Sequence, residues 1–166
     1  QYNDATAGLT VDLASPGSNT GLAAGDIFVD IENLHGSNHD DTLLGDEEAN
    51  TIWGANGDDL IAARDGADTV YGGNGDDTLR GNAGADRLEG GDGLDLADYI
   101  SAGAGLVVSL VSGNPGATGE AVGDVYVSIE GLAGSGHGDR LSGNAGANVL
   151  HGRGGADTLT SGAGGQ

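Results

Sequence analysis

A strict period of nine residues constrains this chain more than any other feature. From Gly36 to Asp98 the sequence divides without a gap into the nonapeptides GSNHDDTLL, GDEEANTIW, GANGDDLIA, ARDGADTVY, GGNGDDTLR, GNAGADRLE and GGDGLDLAD. The sixth position is Asp in every copy except one, which has Asn50, and the eighth position is always apolar. A fixed period of this kind is the signature of repeat architectures. We therefore predict a solenoid instead of a conventional globular core or a disordered acidic chain.

A second, longer period lies over the first. The stretch YNDATAGLTVDL from Tyr2 recurs as YISAGAGLVVSL from Tyr99, and the segment from Gly25 recurs from Gly123. The second copy adds three nonapeptides, whose sixth positions are Asp139, Asn148 and Asp157. We predict four segments: a spacer at 1–35, a first block at 36–98, a homologous spacer at 99–133 and a truncated block at 134–166.

The two ends of the sequence also carry an expectation. The chain begins at Gln1 without a charged and apolar leader, and it stops at Gln166, where the pattern would place an Asp. We expect a mature product or a fragment of a longer repeat protein.

Each nonapeptide predicts a turn followed by a very short strand. Its first six residues are rich in Gly and Asn, which tolerate tight turns and positive φ, and its last three residues place one apolar side chain between two variable ones. Such short strands are stable only when they stack at about 4.8 Å. Two nonapeptides then form one coil, so residues eighteen apart become vertical neighbours. One edge would carry Asp41, Asp59, Asp77 and Asp95, and the other Asn50, Asp68 and Asp86.

The charge of the chain points to a cation as its partner. Asp and Glu number 26 against five basic residues, and the formal net charge of −21 argues against nucleic acid and anionic membranes. Carboxylates stacked at about 5 Å repel by roughly 1 to 3 kcal/mol per pair. Ca²⁺ reverses this repulsion because it accepts six to eight oxygen ligands in tolerant geometry, whereas Mg²⁺ needs a strict octahedron. Zn²⁺ would need recurring His or Cys, and the chain has no Cys.

The nonapeptides resemble the RTX (repeats-in-toxin) calcium-binding family. GGNGDDTLR, which begins at Gly72, is similar to the family pattern GGxGxDxUx. The resemblance implies an all-β fold, a right-handed parallel β-roll with Ca²⁺ between turns. It also implies an extracellular protein that is unfolded at low intracellular calcium, passes through type I secretion and folds outside the cell.

The same resemblance implies the metal ligands. The carboxylate ligands would be Asp41, Asp59, Asp68, Asp77, Asp86, Asp95, Asp139 and Asp157. The turn carbonyls beside them would be those of Gly54, Asn56, Gly72, Asn74, Gly81 and Ala83. Asn50 and Asn148 replace the Asp, which predicts weak or empty sites there.

Several spacer and surface residues stay open between two roles. Asp26 and Asp124 are either isolated calcium ligands or ordinary turn residues, and Glu32 and Glu130 either bind calcium at a block entrance or face solvent. Trp53 and Tyr71 occupy the outward ninth position. Their exposure makes contact with a cell surface or a polysaccharide, or self-association, a conceivable further interaction.

We predict a non-catalytic, calcium-binding structural module of a secreted bacterial protein. The chain contains no HExxH and no GxSxG motif, the usual marks of the hydrolases that accompany such repeats, so we expect no enzyme activity. No apolar run is long enough to span a membrane. Two alternatives are a stalk or repeat unit of an adhesin, surface-layer or filament protein, and a C-terminal secretion module of an extracellular protease, lipase or polysaccharide-modifying enzyme.

Overall fold

The computed structural model describes residues 1–114 and 116–162. Gln166, which stands where the repeat pattern would place an Asp, lies outside these residues. Short strands make up almost all of the regular structure. The strands are β1 (Thr10–Asp12), β2 (Asn33–His35), β3 (Thr42–Leu44), β4 (Thr51–Asn56), β5 (Leu60–Ala62), β6 (Thr69–Asn74), β7 (Thr78–Arg80), β8 (Arg87–Asp92), β9 (Leu96–Asp98), β10 (Val107–Ser109), β11 (Val125–Val127), β12 (Gly131–Ala133), β13 (Arg140–Ser142), β14 (Val149–His151) and β15 (Thr158–Thr160). Single 3-10 turns lie at Pro16–Ser18, Gly21–Ala23 and Gly119–Ala121. Within the described ranges, no helix has the length and apolar character needed to cross a membrane.

The strands stack into parallel sheets that run the length of the chain. A seven-stranded sheet has the order β1-β3-β5-β7-β9-β12-β14. A five-stranded sheet has the order β11-β8-β6-β4-β2, and a three-stranded sheet has the order β10-β13-β15. Successive nonapeptides alternate between the seven-stranded sheet and the other two. The fold prediction of an all-β parallel β-roll is therefore confirmed.

The register of the strands confirms a coil of eighteen residues. In the five-stranded sheet Ile52 pairs with Val70, and in the seven-stranded sheet Leu43 pairs with Ile61. Both pairs are separated by two nonapeptides. The same vertical spacing places each sixth-position side chain above its counterpart in the previous coil.

The strands differ in length between the two sides of the roll. β4, β6 and β8 have six residues each, twice the predicted length, because pairing continues into the following turn, where Ala55 pairs with Gly73 and Asn56 with Asn74. The amide group of Asn74 donates to the side chain of Asn56, and this ladder holds the turns in register. Ala55 and Gly73 have φ of 93° and 122°, so these extensions keep the tight curvature of a turn.

Eighth-position side chains form a narrow core between the sheets. In the first block this column consists of fully buried aliphatic residues: Leu43, Ile52, Ile61, Val70, Leu79, Leu88 and Ala97. Spacer residues such as Val11, Leu106 and Val108 join the same cluster, as do Leu132 and Leu141 of the second unit. The spacers are therefore packed parts of the roll, with strands that pair directly with those of the blocks.

The second unit is turned by half a coil relative to the first. In the first unit β1 and β3 pair within the seven-stranded sheet, whereas their counterparts β10 and β13 pair within the three-stranded sheet. Correspondingly, β2 and β4 lie in the five-stranded sheet, and their counterparts β12 and β14 in the seven-stranded one. The first block contains an odd number of nonapeptides, and this leaves the next unit to begin on the opposite side.

Candidate metal sites

The sixth-position aspartates form two ladders inside the turns, one along each edge. On the first edge the backbone N–H of Asp41 donates to Asp59 Oδ1 at 2.8 Å, that of Asp59 donates to Asp77 Oδ1 at 2.8 Å, and the contact from Asp77 to Asp95 measures 2.9 Å. These carboxylates are at most 2% exposed. One oxygen of each is thus fixed by the amide of the preceding coil.

The second edge has the same arrangement. The N–H of Asn50 donates to Asp68 Oδ1 at 2.7 Å, and the N–H of Asp68 donates to Asp86 Oδ1 at 2.9 Å. Asp139 donates in the same way to Asp157 in the second block, at 2.9 Å. The structure therefore brings the sequence-predicted aspartates together in vertical rows.

The other carboxylate oxygen of five ladder residues has no hydrogen-bond partner. These buried atoms are the Oδ2 atoms of Asp59, Asp68, Asp77, Asp86 and Asp95. Burying an unpaired charged oxygen costs several kcal/mol, and each coil repeats the cost. The donor set consequently fits a cation that takes oxygen ligands.

First-position glycines leave room for these oxygens to pack directly against the backbone. A Cβ atom added to Gly54 would lie 2.1 Å from Asp59 Oδ2 and 2.5 Å from the carbonyl oxygen of Gly72, in the next coil. The gap left by the missing Cβ thus brings a carboxylate oxygen and a backbone carbonyl oxygen from adjacent coils close together. This combination suits Ca²⁺, which accepts carboxylate and carbonyl oxygens together. No group of three or more His, Cys, Asp or Glu side chains capable of holding a metal occurs in the described part of the chain, so carbonyls are needed to complete a site.

The predicted carbonyl ligands occupy different positions in these turns. The Gly54 and Gly72 carbonyls face the gaps at the preceding glycines of their edge. The Asn74 and Ala83 carbonyls each accept a hydrogen bond of 2.9 Å from a backbone N–H of the preceding coil. Each carbonyl oxygen keeps one further lone pair. Asn56 ends β4. Gly81 lies against Asp86, since a Cβ there would be 2.1 Å from Asp86 Oδ2. Ligation by these six carbonyls stays a prediction.

Burial raises the pKa of the ladder carboxyls. Removal from water raises the pKa of Asp59 and Asp86 to about 7. The same cause raises the pKa of Asp68, Asp77 and Asp95 to about 6, with a further contribution from neighbouring carboxylates. The stacked turns therefore favour a neutral or cation-bound carboxyl over a free anion.

A serine donates hydrogen bonds to both oxygens of the first carboxylate in each block. The N–H of Ser37 donates to Asp41 Oδ2 at 2.6 Å, and its hydroxyl donates to Oδ1 at 3.0 Å. Ser135 makes the equivalent contacts with Asp139 at the same distances. Sequence reasoning missed this feature, although Gly-Ser at the start of both blocks was a visible signal. Asp41 and Asp139 stay predicted ligands, but the protein already supplies partners to both of their oxygens.

The two asparagines are satisfied in a different way. Asn50 accepts the N–H of Asp46 at 2.8 Å and donates its amide to Asp46 Oδ1 at 3.0 Å. Asn148 forms the same pair of contacts with Asn144, at 2.8 and 3.2 Å. These two side chains are neutral and already hydrogen-bonded, and weak or empty sites at their rungs stay a prediction.

An aromatic stack lies on the outer surface of the five-stranded sheet. The rings of His35 and Trp53 are 4.5 Å apart and those of Trp53 and Tyr71 are 5.6 Å apart, with interplanar angles of 9° and 6°. All three residues are half-buried. The predicted outward direction of Trp53 and Tyr71 agrees with this geometry, and contact with a polysaccharide stays a prediction.

Comparison with known families identifies the repeats. The model of the RTX calcium-binding nonapeptide repeat matches four times, at residues 35–70, 63–97, 71–105 and 133–165. Together these matches cover more than half of the chain and include both ladders. No curated protein matches the chain.

Proposed function

Because the chain belongs to the RTX calcium-binding nonapeptide repeat family, whose repeats bind Ca²⁺ between turns, we propose that it folds only when calcium is bound. It is a calcium-binding repeat module. Beyond that, we propose that it acts in an extracellular protein that leaves the cell unfolded through type I secretion, with no catalytic role of its own. The ligands proposed are the sixth-position aspartates and the turn carbonyls that face the glycine gaps.

One observation carries the proposal: five buried carboxylates have an oxygen without a partner. In successive coils these negatively charged oxygens repel one another, and their removal from water also destabilises the fold. The core offers only one apolar side chain per nonapeptide to offset the entropy of ordering the whole turn. Metal binding then supplies the missing folding free energy, as in other small metal-dependent domains.

A calcium titration followed by far-UV circular dichroism tests the proposal. We expect a largely disordered spectrum in excess chelator and a β spectrum at millimolar Ca²⁺. Mg²⁺ at equal concentration serves as the matched control and should be much less effective, because it resists irregular oxygen cages. An equally ordered β spectrum in excess chelator would refute calcium-dependent folding.

A second candidate, a repeating stalk of an adhesin or filament, is supported by the continuous seven-stranded sheet. β9 of the first unit pairs with β12, which in turn pairs with β14 of the second block. Consecutive units of about 98 residues would extend as one rod if this junction is rigid. Small-angle scattering on a tandem of two and of four units, at saturating Ca²⁺, would show a maximum dimension that doubles for a rod.

A further inference from the structure

Asp124, in the second spacer, continues one of the two aspartate ladders. The N–H of Asp86 donates to Asp124 Oδ1 at 3.0 Å, the same contact that Asp86 receives from Asp68 at 2.9 Å. The pairing of Arg87 with Val125 sets this register. Asp124 is only 2% exposed. It therefore takes the place of the next ladder aspartate, although 38 residues instead of eighteen separate it from Asp86.

Glu130 closes the other ladder in the corresponding way. The N–H of Asp95 donates to Glu130 Oε2 at 3.2 Å, and Leu96 pairs with Gly131 in the adjoining strands. A Cβ added to Gly90 would lie 2.3 Å from Asp95 Oδ2 and 2.2 Å from the carbonyl oxygen of Ser128. The gap between carboxylate and carbonyl found inside the block is thus reproduced at its end, with the carbonyl supplied by the spacer.

The last rung of each ladder holds an unpaired oxygen at this junction. Asp86 and Asp95 are each 1% exposed, and the Oδ2 atoms of both lack hydrogen-bond partners. A cavity of about 270 Å³ lies beside Asp95 and Glu130, and its lining includes Asp76 and Asp77. The unpaired carboxylate of Asp95 thus lies next to a solvent-filled cavity.

We propose that Asp124 and Glu130 are calcium ligands that pair with Asp86 and Asp95 to form two junction sites, which fasten the second spacer to the end of the first block. This inference deepens the proposed function and rests on it. The tyrosines of the spacer position Asp124: the Tyr99 hydroxyl donates to Asp124 Oδ2 at 2.5 Å and contacts the hydroxyl of Tyr126. Each Asp124 oxygen keeps a lone pair for a metal.

The duplication of the chain supplies a matched control for these two residues. Asp26 and Glu32 are the counterparts of Asp124 and Glu130 in the first spacer. Both are exposed, and Asp26 also accepts a tyrosine hydroxyl, that of Tyr2, at 2.8 Å. Asn33 pairs with Thr51, so the neighbour of Glu32 in the next coil is Asn50, whose side chain bonds to Asp46 and offers no carboxylate.

The test compares the wild type with the pair Asp124→Asn and Glu130→Gln and with the control pair Asp26→Asn and Glu32→Gln. These changes keep side-chain shape and remove charge. Equilibrium dialysis at saturating Ca²⁺ counts bound ions, and circular dichroism reports folding. We expect the junction variant to lose the two junction ions and the control variant to lose none. An unchanged ion count in a folded junction variant overturns the inference, whereas a wild type that binds no calcium overturns the proposed function itself.

A second measurement changes no carboxylate, and it tests the site at Asp124 even if the junction variant does not fold. Tb³⁺ occupies oxygen-ligated calcium sites and emits when a nearby aromatic ring absorbs light. Because Tyr99 bonds to Asp124 and contacts Tyr126, the double change Tyr99→Phe and Tyr126→Phe should lower the tyrosine-excited Tb³⁺ emission, whereas Tyr2→Phe should not. Equal emission from the two variants would overturn the junction site at Asp124.

Discussion

Replacing Gly72 by Ala is the sharpest test of how the turns are built. An added Cβ would lie 2.2 Å from Asp77 Oδ2 and 2.8 Å from the Gly90 carbonyl oxygen, far inside ordinary contact distance. Gly72 does not have a positive φ, so Ala introduces no backbone strain there. The methyl group acts by pushing away the Asp77 carboxylate and the Gly90 carbonyl, two oxygens that we propose as ligands of one ion.

Overpacking of this kind costs about 1 to 3 kcal/mol. For a domain of this size, each kcal/mol lowers the melting temperature by roughly 2 to 4 °C. We therefore expect Gly72→Ala to melt about 2 to 12 °C below the wild type in saturating Ca²⁺ and to bind one ion fewer. Thermal melts followed by circular dichroism, together with a count of bound calcium, provide both values.

Gly136→Ala is the matched control. Nothing lies within 4 Å of a Cβ added at Gly136, and its φ is not positive. This variant should keep both the wild-type melting temperature and its calcium. If Gly72→Ala melts together with the control and retains all its ions, the glycine gap is not part of a calcium site and the reasoning fails.

Two further predictions concern single carboxylates and pH. Asp77→Ala should raise the calcium midpoint of folding more than Asp157→Ala, because Asp77 has ladder neighbours in both directions whereas Asp157 is the last described rung of its block; equal shifts would contradict shared sites. Without calcium, burial raises the pKa of Asp59 and Asp86 to about 7, above the ordinary value near 3.9 in the unfolded chain. The folded state then binds more protons, so its stability falls as pH rises from about 4 to 7. In chelator, the β signal should be stronger at pH 5 than at pH 8, and the reverse order would be inconsistent with buried, unpaired carboxyls.

The periodic part of the structure could be predicted from the sequence because its contacts repeat with the period itself. Once Asp59 and Asp77 occupy the same place in successive coils, their vertical contact follows from the eighteen-residue register. The glycine at the first position follows in the same way, since it faces the carboxylate of its own turn.

The boundaries of the blocks could not be predicted in this way. The contact between Asp86 and Asp124 spans 38 residues, and that between Asp95 and Glu130 spans 35. Neither separation is a multiple of the repeat, because the intervening spacer forms loops of irregular length. The serine caps depend on the conformation of the first turn of each block, where Ser37 bends back onto Asp41. These features depend on how spacers dock, which no periodic pattern encodes.

The half-coil offset between the units gives a tandem array of them a definite symmetry. If every block has an odd number of nonapeptides, as the first one does, successive units are related by a twofold screw along the fibre axis, and the structural repeat spans two sequence units. The strand positions of His35 and Trp53 in the first unit correspond to those of Ala133 and His151 in the second, on the opposite side; Ala133 is buried, whereas His151 is exposed. Equivalent surfaces then alternate from side to side along the rod, and a bivalent partner that recognises them would have to bridge across it.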